Sequence, residues 1–214
     1  MKRIKIPNKI TEELAELVGI MYGDGCMTNK HNYTYRISIF CNKKKDREHA
    51  FYIKKIFVNN FDIIPKETIN DKKSDLTLYV LSKSLTIYFN KILQIPYSPK
   101  ILTNIPSYIK EHQPYLKAFL RGLFDTDGCV TYQRDKGYIY PLVKIITKHK
   151  LFAQDIKESL INLGIKAFIC RKKDKKGNLG YDIVVRNKRC IKFFEIIGSN
   201  NPRNIKKWGC WEIR

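Results

Sequence analysis

The sequence predicts an α+β protein made of two pseudo-symmetric repeats, each with the order α-β-β-α-β-β-α. Three observations carry this expectation. An apolar, helix-like run ending in Asp-Gly occurs twice, as "GIMYGDGC" (19–26) and "GLFDTDGC" (122–129). Further segments recur in the same order at nearly the same spacing: "YIKKIF" (52–57) with "DIKESL" (155–160), "YVLSKS" (79–84) with "VVRNKR" (184–189), and, allowing a gap, "KILQIPYSPK" (91–100) with "EIIGSNNPR" (195–203). Matches in one order along the chain indicate two copies of a unit of about a hundred residues. Within each copy, helical and strand-like stretches alternate in the same sequence. The repeats are expected at 1–108 and 109–214.

In the first repeat Thr11 is a candidate N-cap, followed by Glu12 and Glu13 in the first helical turn. Leu14, Leu17, Val18 and Met21 make an apolar stripe at helical spacing, and Gly25 is expected to supply a left-handed residue at the helix end. Two strand-like stretches follow, "CMTNKHN" and "YTYRISIFCN", then a helix over 46–60. The strands "PKETIND" and "LTLYVLS" and a helix over 83–93 complete the unit.

Pro114 suits the first turn of the helix that opens the second repeat, expected over 114–127. Strands follow over 129–134 and 138–147, a helix over 149–163, strands over 166–173 and 180–186, and a helix over 188–197. The bridge "IPYSPKILTNIPSYIKEHQP" (95–114) has four prolines and no long flexible run, which predicts a stiff connection packed on the body.

Lys and Arg number 41 against 20 Asp and Glu, a net charge of +21. Such an excess points to a polyanionic partner, most simply nucleic acid. Thermophile surfaces, which balance Lys with Glu, do not explain it, and charge spread along the whole chain argues against a basic membrane-surface helix. No apolar run approaches the roughly 20 residues of a membrane span, and the charged N-terminus does not read as a secretory signal. The six cysteines, Cys26, Cys41, Cys129, Cys170, Cys190 and Cys210, form no CxxC pair, which disfavours a zinc site. Reduced, mostly buried thiols in the cytoplasm, or in an organellar matrix for an organelle-encoded chain, are expected. Cys26 and Cys129, matched just after the repeated acid, read as small buried residues.

The repeated acid is the unusual feature. A carboxylate at a helix C-terminus opposes the helix dipole by a few tenths to ~1 kcal/mol. A lone Asp-Gly reads simply as a turn, but both copies here follow apolar helices at matching points of a repeat. Gly19 and Gly23 lie on one helix face, and Gly122 and Thr126 hold the matching places. Small residues at that spacing let two helix backbones come close. Packed on this face, the helices would set Asp24 beside Asp127, and paired carboxylates repel unless a cation lies between them. Oxygen ligands suit Mg²⁺, with Mn²⁺ able to substitute, and such ions support attack on a phosphodiester.

"LVGIMYGDG" (17–25) and "LRGLFDTDG" (120–128) resemble the two motifs of a monomeric, double-motif LAGLIDADG homing endonuclease. The resemblance covers essentially the whole chain. Its one departure is Tyr22, where many members carry an acid and the second copy has Asp125. It implies motif helices at the interface between halves and a four-stranded antiparallel sheet in each half. The two sheets would form a concave saddle over double-stranded DNA with a long, asymmetric site. A β-surface of this kind enters the major groove and reads base edges.

The resemblance also implies site residues. Asp24 and Asp127 would hold the metal, with backbone carbonyls near Gly23 and Thr126 completing its shell. Polar or basic residues ending the second strand of each unit map to Asn42 with Lys43 and to Thr147 with Lys148. A basic residue after the third helix maps to Lys100 in the first copy and to Arg203 or Lys206 in the second. From their places on expected strands or strand tips, Lys30, Arg36, Ser38, Lys66 and Thr68 are candidate DNA contacts in the first half. Arg134, Lys136, Lys144, Arg171 and Arg186 are the candidates in the second. A one-residue slip would turn any of these inward. The aromatic "YTY" and "YIY" stretches are expected to pack between sheet and helices or against sugar edges.

Three functions compete on this fold: a site-specific endonuclease, an RNA maturase acting on intron RNA, and a DNA-binding regulator without catalysis. The two intact acids favour the first. An intein origin is not expected, since the chain starts with Met1 and leaves no room for a splicing domain.

Overall fold

A computed structural model of the chain describes residues 4–30, 34–135, 138–173 and 177–212. Helix α1 (Glu12–Tyr22) starts where Thr11 Oγ1 accepts the Leu14 amide at 3.2 Å, the cap expected from sequence. Hairpin β1 (Gly25–Lys30) and β2 (Thr34–Asn42) leads to α2 (Arg47–Phe61), hairpin β3 (Lys66–Asn70) and β4 (Asp75–Leu81), and α3 (Lys83–Lys91), which Ser82 caps. The second half repeats the order: α5 (Gln113–Asp127), β5 (Gly128–Asp135), β6 (Tyr138–Thr147), α6 (Lys150–Asn162), β7 (Phe168–Lys173), β8 (Leu179–Arg186) and α7 (Arg189–Ile196). Each half builds a four-stranded antiparallel sheet, ordered β1-β2-β4-β3 and β5-β6-β8-β7.

Two elements go beyond the repeat. A short helix, α4 (Ser107–Lys110), lies inside the bridge, so the boundary expected at 108/109 falls within it. A final helix, α8 (Pro202–Glu212), follows the second unit. Its exposed face is lysine-rich, and its apolar signal is confined to a few positions such as Trp208, which is buried and stacks on Phe194 at 4.3 Å. The helix lies beyond the duplicated order, so the repeat gives no sign of it.

The bridge is pinned at several points. Ser98 N donates to Met27 O at 2.9 Å, Ile105 N donates to Asp155 Oδ2 at 2.6 Å, and Ile105 and Ile109 are fully buried. One continuous apolar core runs through both halves, because α1 is apolar nearly all round. Its stripe faces its own sheet, while its small-residue face meets α5.

That contact is close. A Cβ on Gly19 would stand 2.0 Å from the carbonyl oxygen of Phe119, and one on Gly122 would stand 2.2 Å from that of Glu16. Only glycine allows such an approach. Gly25 does not play the part expected of it. It has no positive φ and opens β1, where a Cβ would meet the Met21 backbone at 2.5 Å. The helix ends two residues earlier, at Gly23.

Candidate active site

Crossing α1 over α5 at their glycines carries the chain that follows each helix to one place. Asp24 stands just beyond the α1 cap, and Asp127 is the last residue of α5. A Cβ on Gly23 would touch the Thr126 hydroxyl at 2.0 Å and lie 3.5 Å from Asp127 Cγ. Both carboxyls are forced toward the neutral form. Burial raises Asp127 to about 7, with the Asp24 charge adding to it and Lys100 opposing. Asp24 is raised by burial and by Asp46, and is drawn down by Lys100 and Arg203. Asp127 is therefore pushed up by its motif partner, and Asp24 by Asp46, in a partly desolvated place.

Lys100 lies at the centre of this arrangement. Its Nζ donates to the carbonyls of Met21, Tyr22 and Gly23 at 2.8, 2.8 and 2.6 Å, capping the α1 C-terminus. Burial holds it down to about 8, partly offset by the charges of Asp127 and Asp24. Gly23 O, a candidate metal ligand, thus already accepts from Lys100. Thr126 Oγ1 donates back into α5, to Gly122 O and Leu123 O.

The repeat-equivalent cation, Arg203, is committed differently. Its Nη1 lies 3.2 Å from Asp46 Oδ1, and Asn201 Nδ2 donates to the same oxygen at 3.2 Å. Where the first half has Asp46 at the start of α2, the second has His149 at the start of α6, so no carboxylate there draws Lys100 away from the motif acids. Arg203 and Lys206 project from α8 into a cleft of about 990 Å³ beside Asp127, shared with Lys44, Lys45 and Arg47.

The strand-end residues have other partners. Asn42 Oδ1 accepts the amides of Lys44 and Lys45 and shapes the turn into α2. Lys43 pairs with Asp71 on the β3–β4 hairpin. Thr147 is buried and accepts the His149 amide at 3.3 Å, whereas Lys148 is exposed and lies near enough to Lys100 to lower it further.

Ladder registers decide which candidates share the open face of each sheet, the one away from the helices. In the first sheet Ile37, Ile39, Leu76 and Leu78 face the core, so Arg36, Ser38, Lys66 and Thr68 take the open face. Ser38 is nonetheless covered: Arg36 Nε donates to its hydroxyl at 2.9 Å, and the guanidinium lies 4.3 Å above the Tyr79 ring. Lys30 ends β1, and its side chain lies outside the described residues, as does all of Lys136.

In the second sheet Lys144 and Arg186 share the open face with Val184 and Leu142. Arg171 and Arg134 do not. Arg171 pairs with Tyr181, and Arg134 shares the side of Val130, both facing the core side. The cause is a phase difference between the hairpins. Lys66 stands opposite Tyr79, but opposite the matching Val184 stands Phe168, so Arg171 corresponds to Ile69 and not to Lys66. Cys170 and Lys172 take the open places. Lys172 lies 3.0 Å from Asp182, and Lys144 lies 4.0 Å from it.

Sequence reasoning missed a buried polar cluster joining the halves. Asp125 accepts from the Ser199 hydroxyl and from Asn200 N at 2.7 Å, and lies 4.0 Å from His49 Nε2. Asn200 Nδ2 donates to Glu16 Oε1 at 2.7 Å and to Tyr52 OH at 2.8 Å, while Arg121 lies 3.4 Å from Glu16. The equivalent place in the other half is apolar: Tyr22 packs on Phe119 and Phe152 and gives its hydroxyl to Gln94 O at 3.2 Å. The Tyr22 and Asp125 mismatch was visible in the sequence, but its partners were not. The cysteines also differ from expectation: Cys190 alone is buried, Cys210 is exposed, and Cys26, Cys129 and the other two are half-buried.

Among the described residues no group of three or more His, Cys, Asp or Glu could hold a metal ion. A cation here would therefore rest on the two carboxylates, with carbonyls, water or phosphate oxygens completing its shell. That oxygen-only set suits Mg²⁺, which keeps several waters.

Comparison with known proteins follows the same lines. Residues 114–198 match the family described as a LAGLIDADG-like domain. The chain is 28% identical over 165 residues to the ribonucleoside-diphosphate reductase NrdEB subunit alpha of Bacillus subtilis, covering 72% of this chain and 14% of that protein. It is 31% identical over 201 residues to the replication factor C small subunit of Methanocaldococcus jannaschii, covering 92% of this chain and 10% of that protein. The chain thus spans only a small part of these curated relatives. Its fold is similar to that of I-DmoI in complex with DNA and Mn, with a TM-score of 0.62 and 21% identity, covering 87% of this chain and 96% of that one.

Proposed function

We propose that this chain, whose residues 114–198 match a LAGLIDADG-like domain and whose fold is similar to that of I-DmoI, is a site-specific, metal-dependent DNA endonuclease of the intron-homing type, acting as a monomer. The observation that carries this reading is the convergence of Asp24 and Asp127 at the ends of two helices crossed at Gly19 and Gly122. Burial raises both carboxyls, with the Asp24 charge adding to it at Asp127 and the Asp46 charge at Asp24, an arrangement that a divalent cation relieves. A protein that only bound DNA would have no use for it.

Asp24 and Asp127 would hold Mg²⁺ or Mn²⁺, with Gly23 and Thr126 carbonyls as further oxygens. Such an ion stabilises charge on a phosphodiester and activates water. The chain's own residues do the rest. Lys100 holds the α1 end in place and sets one positive charge against both acids. Arg203 and Lys206 line the cleft beside Asp127, suited to developing phosphate charge. The open faces carry Arg36, Lys66 and Thr68 on one side and Lys144 and Arg186 on the other, as a duplex-reading surface requires. The net charge of +21 supports duplex DNA with a long, asymmetric site as partner. Free thiols at all six cysteines suit a reducing compartment, cytoplasmic or organellar. No helix among the described residues is long and apolar enough to cross a membrane.

The test is Mg²⁺-dependent cleavage of a randomised duplex library, with Asp24→Asn and Asp127→Asn alongside. Discrete double-strand cuts that vanish in both variants while binding survives support the endonuclease. Salt-sensitive duplex binding with no cutting in Mg²⁺ or Mn²⁺ favours the regulator, and preference for intron RNA favours the maturase.

A further inference from the structure

On the open face of each sheet, the row that begins at a motif acid continues with an apolar side chain. Phe40 N donates to Asp24 O at 3.1 Å, so Phe40 stands opposite Asp24 across the β1–β2 pair. In the second sheet Gly128 pairs with Ile145, and one step along that register sets Ile146 opposite Asp127. Alternation turns both outward. Ile39 and Ile145 are each 1% exposed, whereas Phe40 and Ile146 are 50% and 45% exposed. Beyond them the rows are polar or small, Thr77 and Thr68 in one sheet, Asp182 and Cys170 in the other.

An exposed apolar residue alone means little. Two at equivalent places, one beside each motif acid and on faces that also carry Arg36 and Lys144, indicate a polyanion with an apolar group at its inner edge. Base pairs offer one such group in the major groove, the C5-methyl of thymine; the other features there are hydrogen-bond donors and acceptors. Neither Phe nor Ile can donate or accept. Each favours the methyl and disfavours cytosine, whose amino group would lose water without gaining a partner.

We propose that Phe40 and Ile146 select thymine, one on each side of the acid pair, in the duplex this chain binds. The inference rests on the DNA-cleaving reading above and deepens it by naming two residues that determine the innermost bases.

The experiment uses the full chain and a randomised duplex library in Ca²⁺, with bound duplexes recovered and sequenced. Thymine should be enriched at one position on each side of the site centre. Phe40→Ala should lose one preference and Ile146→Ala the other, each leaving the rest of the site intact; both side chains are half exposed, so the fold survives. Replacing the selected thymine by uracil removes only the methyl. It should weaken wild-type binding about fourfold at each position and leave the matching Ala variant unchanged. Equal wild-type binding of thymine and uracil duplexes, with the selected site still bound tightly, overturns the inference and leaves the DNA reading standing. Loss of all binding in either Ala variant, whatever the base, also overturns it. Recovery of no duplex overturns the DNA reading and this inference with it.

Discussion

Gly19 and Phe119 meet so closely that a Cβ on the glycine would stand 2.0 Å from the Phe119 carbonyl oxygen. The obstacle is backbone, which no rotamer change can move. Gly19→Ala must push α1 off α5, lowering unfolding free energy by about 3 kcal/mol or more in a denaturant titration. Gly122→Ala, whose Cβ would lie 2.2 Å from Glu16 O, should behave alike. Moving the helices also parts Asp24 from Asp127, so residual cleavage should fall further than residual stability.

Replacing one motif acid separates repulsion from catalysis. The Asp127 carboxyl is raised to about 7, chiefly by burial. A raised carboxyl destabilises the fold as pH climbs from the ordinary carboxylate value through about 7, and little below it. Asp127→Asn should therefore be more stable than wild type at pH 8 without divalent ions, by roughly 1–3 kcal/mol, with the gain vanishing near pH 4. Mg²⁺ should raise the Tm of wild type and not of the variant.

Lys100 serves three carbonyls and two acids at once. Lys100→Met leaves the Met21, Tyr22 and Gly23 carbonyls without their donor, costing about 1–3 kcal/mol. It also removes the one positive charge set against both acids. Cleavage should drop on the order of 100-fold in single-turnover assays. Duplex affinity, carried by the sheets, should change much less.

His49 and Asp125, 4.0 Å apart, are shifted in opposite directions. Burial lowers His49 to about 4, with Asp46 opposing and Arg203 assisting, while burial raises Asp125 to about 7. His49 alone makes the fold less stable as pH falls from its ordinary 6.5 through about 4. Asp125 alone makes it less stable as pH rises from its ordinary 3.8 through about 7. Between pH 4 and 7 the two slopes oppose. His49→Phe, which copies Phe152 at the matching place of the other half, should uncover the Asp125 slope. Stability relative to wild type should then fall by roughly 1–3 kcal/mol from pH 4.5 to pH 7, read from parallel denaturant titrations.

The sequence by itself determined the element order, the duplication and the acid pair. These are properties of local period and of spacing along the chain. Helical stripes, alternating strands and two Asp-Gly helix ends remain visible without knowing what packs on what. Glycines at Gly19 and Gly122 even predicted the close helix contact. Only the tertiary structure decided which strand residues face outward. Hairpin phase moved Arg171 and Arg134 to the core side and put Lys172 on the open face, because a period of two makes every one-residue shift a reversal. Partner choice was likewise beyond the sequence. Lys100 and Arg203 hold the same place in their repeats, yet one caps α1 beside the acids and the other is held by Asp46, a carboxylate that the second half replaces with His149. Helix α8 lies beyond the duplicated order, so the repeat did not announce it, and the polar cluster around Asp125 lay hidden because its contacts join residues far apart in the chain, which leave no periodic trace within it.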